Sequence, residues 1–244
     1  MSTFVDLLPP TPNAVGEPDP IDGKSQGPHP RRRGTWNADS FAQEQIRALA
    51  RQVFCPPGPK GTRQVVFSPV DAETDVGTIC VEIGLALSRQ VSGTTCLVDA
   101  SAHGAELKSF LDSNDLDVVS DRKDSSLRDP SLKFSSQLWF VPKPVFLEGE
   151  ENEWSADRLR NRLADLRESF DYTVVSGPPA AMCSEAALLA SLCDGIVLVL
   201  RANSTRRLTA QRVKEKLQSA NVRLLGVVLS DRTFPIPEAI YRRV

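Results

Sequence analysis

The chain has 244 residues, of which 41% are hydrophobic and 25% charged, and its net charge is −2. That balance is ordinary for a globular protein and excludes the strongly basic character of a general nucleic-acid binder. No apolar run approaches the roughly 18 residues that a spanning helix needs, and the first residues lack the basic-then-apolar order of a secretory signal. The five cysteines, Cys55, Cys80, Cys96, Cys183 and Cys193, are odd in number and form no C-x-x-C pair. They are read as free thiols in a reducing cytoplasm, with Cys80 and Cys96 buried.

Residues 1–36 are rich in Pro, Gly, Asp and Ser and close on Arg31-Arg32-Arg33. Apolar residues are too sparse there to offset the entropy of ordering, so a disordered, Pro-rich tail is expected, ending in a solvated linker. Residues 37–244 are expected to form one domain. The first helix is predicted over Asn37–Phe54, capped by Asn37 or Asp39, with Phe41, Ile46, Leu49 and Val53 as its apolar stripe. Packing on its own domain is the plainer reading of that stripe. Glu44, Arg47 and Arg51 occupy the other face and are candidate partner contacts.

Gln64–Phe67 is a short apolar, β-branched run, as a buried parallel strand should be. A turn-rich loop, Ser68–Thr78, follows. Ile79, Ile83, Ala86 and Leu87 then recur at helical spacing. Strand, loop and helix in this order form the frame in which a glycine-rich loop cradles phosphates on backbone N–H groups beside a lysine. Here the frame lacks that chemistry. No Lys or Arg occurs from Gln64 to Ser88, and Gly77 is the one glycine in the loop. Asp71, Glu73 and Asp75 stand where phosphates would arrive. The expectation is a nucleotide-binding fold whose nucleotide site is lost.

A second strand, Thr94–Val98, ends in Asp99. A short helix is predicted at Ala105–Leu111, a polar excursion over Ser113–Gln137, and a third strand at Leu138–Val141. Glu148-Gly149-Glu150-Glu151 reads as a solvated loop. A helix over Ser155–Ser169, capped by Ser155, turns Leu159, Leu163 and Leu166 inward. Strands at Tyr172–Val175, Gly195–Leu200 and Leu224–Leu229 alternate with helices at Ser184–Leu192 and Thr205–Ala220. The alternation, and strands nearly continuous in Val, Ile and Leu, predict an α/β fold of three layers, with a mostly parallel, doubly wound sheet. Ligands of such sheets sit beyond the carboxyl ends of the strands, here Ser68 onward, Asp99–Ser101 and Ser176–Pro179. Asp99 is read as a strand-end carboxylate capping the next turn, or as a leftover magnesium or base position. His103 is read as solvated, and Ser176 has no histidine near it in sequence to make it a nucleophile. At the C-terminus Ile236, Ile240 and Val244 lie at i, i+4 and i+8, one face of a short helix. Tyr241 is expected to pack or anchor there, and Arg242 and Arg243 are candidate contacts to acidic groups of a partner.

Several of these stretches resemble the bacterial tyrosine kinases of capsule and exopolysaccharide synthesis. That family sits within the wider P-loop class of partition and cell-division ATPases. The residues that carry the resemblance are Phe170-Asp171-Tyr172-Thr173-Val174-Val175-Ser176-Gly177-Pro178-Pro179, Ser184-Glu185-Ala186, Cys193–Ala202, Leu225–Leu229, Ser68-Pro69 and Leu97–Ala100. The departures fall on the chemistry. The family's loop ends in Gly-Lys-Ser/Thr-Thr; here the lysine position falls on Val76 or Asp75, according to register, followed by Gly77 and Thr78. Its Asp-x-Asp motif is Asp99-Ala100-Ser101. Its third aspartate, which holds magnesium through water, is Ser176. Its tyrosine-rich tail is missing, the chain having two tyrosines.

The resemblance therefore implies a non-catalytic regulatory or scaffolding subunit with no bound cofactor, ATP and magnesium being lost or weak. Its implied partner is a membrane polysaccharide chain-length regulator or another export protein, which would hold it at the inner membrane without a span of its own. The family's Glu-x-x-Arg-x-x-Arg helix implies homo-oligomers; Glu44 and Arg47 keep that spacing, and Arg51 is displaced by one residue. Two alternatives stand beside this reading. One is an active kinase with an atypical phosphate loop. The other is a partition- or division-type positioning protein.

Overall fold

The computed structural model describes residues 38–56, 61–101, 133–147 and 154–231. The expectations for the 1–36 tail, the Ala105–Leu111 helix, most of the Ser113–Gln137 excursion, the 148–151 acidic run, His103 and the segment with Tyr241, Arg242 and Arg243 lie outside the described residues. The elements are α1 (Ala38–Phe54), β1 (Gln64–Pro69), α2 (Gly77–Gln90), β2 (Thr95–Asp99), β3 (Leu138–Val141), α3 (Lys143–Leu147), α4 (Ala156–Ser169), β4 (Tyr172–Ser176), α5 (Glu185–Leu192), β5 (Gly195–Arg201), α6 (Arg207–Ser219) and β6 (Leu224–Ser230).

Six parallel strands form one sheet in the order β3-β2-β4-β1-β5-β6. Successive side chains of a strand point to opposite faces, and the apolar runs supply both. Val66, Val98, Val175, Ile196 and Leu198 face a cluster with Leu159, Leu163 and Leu166 of α4, Leu189 of α5 and Val213 and Leu217 of α6. Val65, Phe67, Leu97, Val174 and Val197 face α1 and α2 through Leu49, Val53, Phe54, Ile83 and Leu87. Every residue of β1 is buried, which only a sheet covered on both sides requires. The three-layer parallel fold read from the sequence is the one observed. α1 packs on its own domain, as its stripe predicted: Phe54 stacks on Phe67 and meets Tyr172 edge-on.

Several boundaries differ from the sequence reading. α1 begins at Ala38, so Asp39 lies within its first turn. β1 runs on through Ser68 and Pro69, because both pair with β5 at Leu198 and Val199. β4 likewise takes in Ser176, between Phe67 and Asp99. α2 begins at Gly77, so Gly77 and Thr78 are helical. Ser155 holds the cap position of α4 without a side-chain bond; its carbonyl accepts the Leu159 N–H.

The amino edge of the sheet is tied by one carboxylate. Asp194 accepts the backbone N–H of Arg63 at 2.7 Å and of Gln64 at 2.8 Å, and the Arg167 guanidinium at 2.8 Å. Burial pushes its carboxyl up, but the Gln64 N–H, Arg167 and the Arg63 N–H outweigh that and hold it below the usual carboxylate range.

Candidate functional site

The carboxyl ends of β1, β2 and β4 meet side by side. Ser176 is in register with Phe67 on one side and Asp99 on the other. The β1–α2 loop is closed on itself by its own acids. Asp75 accepts the Thr78 N–H at 3.1 Å and the Thr78 hydroxyl at 2.7 Å. It therefore satisfies one of the orphan donors at the start of α2, the end of a helix that attracts anions. Asp71 accepts the Thr74 hydroxyl at 2.6 Å and the Thr205 hydroxyl at 2.6 Å. Thr205 in turn accepts the Arg201 N–H at 3.0 Å. The loop is thus strapped to the turn between β5 and α6. Burial raises the Asp71 carboxyl; the two hydroxyls, a backbone bond at Glu73 and the charge of Arg201 more than reverse this, leaving it below its ordinary value. Glu73 is exposed, whereas Val76 and Gly77 are buried at the root of the loop.

On the other side of Ser176, Asp99 is 3% exposed. It accepts the Ser101 N–H at 2.9 Å and the Ser101 hydroxyl at 2.8 Å, so it caps the following turn, one of the two roles read from sequence. Burial raises its carboxyl; the Ser101 bonds and the charge of Lys143 oppose that rise. The Ser176 hydroxyl is fully buried without a hydrogen-bond partner of normal geometry, and its neighbour is the buried thiol of Cys80. Among the described residues no three His, Cys, Asp or Glu side chains converge as a metal site would require.

The structure brings Asp71, Asp75, Val76, Gly77, Thr78, Asp99, Ser101 and Ser176 to one edge of the sheet. Glu44, Arg47 and Arg51 are not part of that edge. They lie exposed on α1, where Glu44 pairs with Arg47 at 3.6 Å and Arg51 at 3.3 Å. Sequence reasoning missed Lys143 and Thr205. Lys143 stands two residues past β3, and that strand end alone could have flagged it. Thr205 carries no local signal, since its partner is 134 residues away.

The chain matches no profile of a known protein family. It is 34% identical over 65 residues to the tyrosine-protein kinase CpsD of Streptococcus agalactiae, a match covering 27% of this chain and 28% of that protein. It therefore spans little more than a quarter of the length of the first curated relatives it matches. A longer alignment, with a CpsD of Streptococcus pneumoniae, is 24% identical over 200 residues, 78% of this chain and 84% of the relative. Among solved structures, the VpsO kinase domain superposes with a TM-score of 0.62 at 19% identity, covering 80% of this chain and 98% of that one. The kinase domain of the Escherichia coli tyrosine kinase ETK gives 0.57 at 14% identity, covering 80% and 79%. A ParA family ATPase from Chlorobium tepidum gives 0.52 at 17% identity, covering 69% and 74%. The chain has homologues among bacterial tyrosine-protein kinases, and its fold is the P-loop NTPase-like one of these structures.

Proposed function

We propose, from the chain's kinship with bacterial tyrosine-protein kinases, that it is a non-catalytic subunit of capsule or exopolysaccharide synthesis and export. It regulates or scaffolds through contacts with a partner, such as a membrane chain-length regulator, and sits at the inner membrane through that partner. One observation carries the reading: the Asp75 carboxylate occupies the α2 N-terminus, in a loop without a lysine. Phosphoryl transfer depends almost wholly on positioning and on charge that offsets the phosphates. A charged hydrogen bond is worth about 1.5–3 kcal/mol. Losing a lysine and two metal-linked carboxylates, at Ser101 and Ser176, removes several such terms. Asp71, Glu73 and Asp75 add repulsion, and each ~1.4 kcal/mol of barrier is tenfold in rate.

Calorimetric titration of the full chain with ATP and magnesium tests this. No measurable binding is expected. Micromolar, magnesium-dependent binding overturns the reading. It would favour a second one, an active kinase with an atypical loop, for which Lys143 is the supporting observation. Its charge acts on Asp99 from the neighbouring strand end. Loss of that binding in Lys143→Met would then identify the substitute cation.

A further inference from the structure

A second surface lies outside the cleft between the strand ends. From Arg201 to Arg223 the chain carries seven basic residues and one acid, Glu215, whereas the whole chain is −2. α6 buries Val213 and Leu217 against the core, which turns Leu208, Gln211, Arg212 and Glu215 outward at i, i+3, i+4 and i+7. Arg206, Arg207 and Arg212 are exposed and make no ion pair among the described residues. Leu208, in their midst, is 68% exposed. Met182, 71% exposed, sits on the turn between β4 and α5. That turn lies near the start of α6: the Ala181 N–H donates to the Val70 carbonyl at 3.1 Å, and Asp71, the next residue, accepts the hydroxyl of Thr205, two residues before the helix. An exposed Leu208 flanked by arginines that make no ion pair among the described residues, with an exposed Met182 nearby, suits a binding patch. Arginine is enriched among the residues that carry binding energy, and methionine adapts its shape to a partner.

We propose that the first turns of α6 and the β4–α5 turn form a docking surface for an acidic segment of a partner protein that carries a large apolar side chain. The arginines supply orientation and encounter rate, and Leu208 and Met182 supply the apolar anchor. A lipid surface fits less well, because Glu215 and Gln211 share the outward face with Leu208. A nucleic acid fits less well too, because α6 offers no aromatic side chain for stacking. The surface does not involve the β1–α2 loop, so this proposal stands whether or not ATP binds.

The test uses the full chain and a fluorescein-labelled synthetic peptide in which Glu and Asp flank one Leu and one Phe. Its control peptide has Gln and Asn in place of the acids. Fluorescence anisotropy is expected to show micromolar binding of the acidic peptide that weakens several-fold as salt rises from about 50 to about 300 mM. Arg207→Glu with Arg212→Glu should weaken it about tenfold or more, and Leu208→Ser about threefold or more. Both variants should keep the wild-type circular dichroism, since the altered side chains are exposed. Equal binding of the control peptide, unchanged affinity in the variants, or no binding by the wild type overturns the proposal. So does binding of phosphatidylglycerol vesicles or a DNA duplex in place of the peptide.

Discussion

Asp194→Ala removes the carboxylate that ties the start of β1 to the start of β5. Three hydrogen bonds go with it, two of them to backbone N–H groups and one to Arg167. A charge-assisted bond is worth about 1.5–3 kcal/mol in mutational series. The carboxylate is 25% exposed and its Arg167 partner 37% exposed, so water replaces part of the loss. The Arg63 N–H is at the surface and rehydrates, while the Gln64 N–H is partly buried and does not fully. A net cost of about 3 kcal/mol follows, which lowers the melting temperature by about 6–12 °C for a domain of this size. Asp194→Asn keeps one acceptor oxygen and should lose about half as much. The pH dependence has a definite sign. The folded carboxyl lies below its ordinary value, so its contribution is complete above the unfolded pKa, near 3.9, and is lost as pH falls through the folded pKa. Calorimetric melting of wild type and Asp194→Asn should therefore differ at neutral pH, and the difference should shrink as pH falls below the unfolded pKa. A difference that grows on acidification, or an Asp194→Ala melting point within about 1 °C of wild type, refutes the reasoning.

Thr205→Val cuts the strap between the β1–α2 loop and the β5–α6 turn; a loss of about 1–2 kcal/mol is expected in urea unfolding, with faster proteolysis at the loop. Ser176→Asp places a second buried carboxylate beside Asp99; unfolding should move to lower denaturant, and magnesium should restore part of the loss if the metal position can be rebuilt. Burial pushes the Cys80 and Cys96 thiols up, and that of Cys193 up to about 12. Ellman's reagent at mildly alkaline pH should therefore modify exposed Cys55 promptly and reach Cys80 and Cys96 only on unfolding, as a time course in and out of denaturant will show.

The layers of the fold were legible because Ile196–Leu200 and its counterparts are apolar on both faces, which only a covered parallel strand demands. Strand order was not, since nothing local tells Val65 that it will lie between Val174 and Gly195. From sequence Ser68 and Ser176 fall just past their strands, because small polar residues ordinarily leave the core; central pairing keeps them in, with Ser68 donating to the Pro178 carbonyl at 2.6 Å. At the site, the missing lysine was legible as plain absence. What the loop's acids bond to was not. Asp75 reads as a charge facing a phosphate position until the Thr78 N–H and hydroxyl are seen on it. Lys143 and Thr205 act across the fold, on Asp99 and Asp71, and no window of sequence contains both members of either pair.

The central place of β1 also sets the order in which the molecule can be completed. Its neighbours are β4 and β5, and Val65 meets Val174 and Gly195, more than a hundred residues later. At roughly 5–20 residues per second of synthesis, both edges of this strand stay open for on the order of ten seconds after it emerges. During that interval α1 and α2 can cover one face, but nothing can pair with its backbone. Six residues with a Val-Val-Phe centre and free edges on both sides invite pairing with another chain. Long-range closure of this kind folds slowly. Nascent or truncated chains that stop before Tyr172 leave both edges of Gln64–Pro69 unpaired, and those that stop before Gly195 leave one, which makes this segment an aggregation hazard.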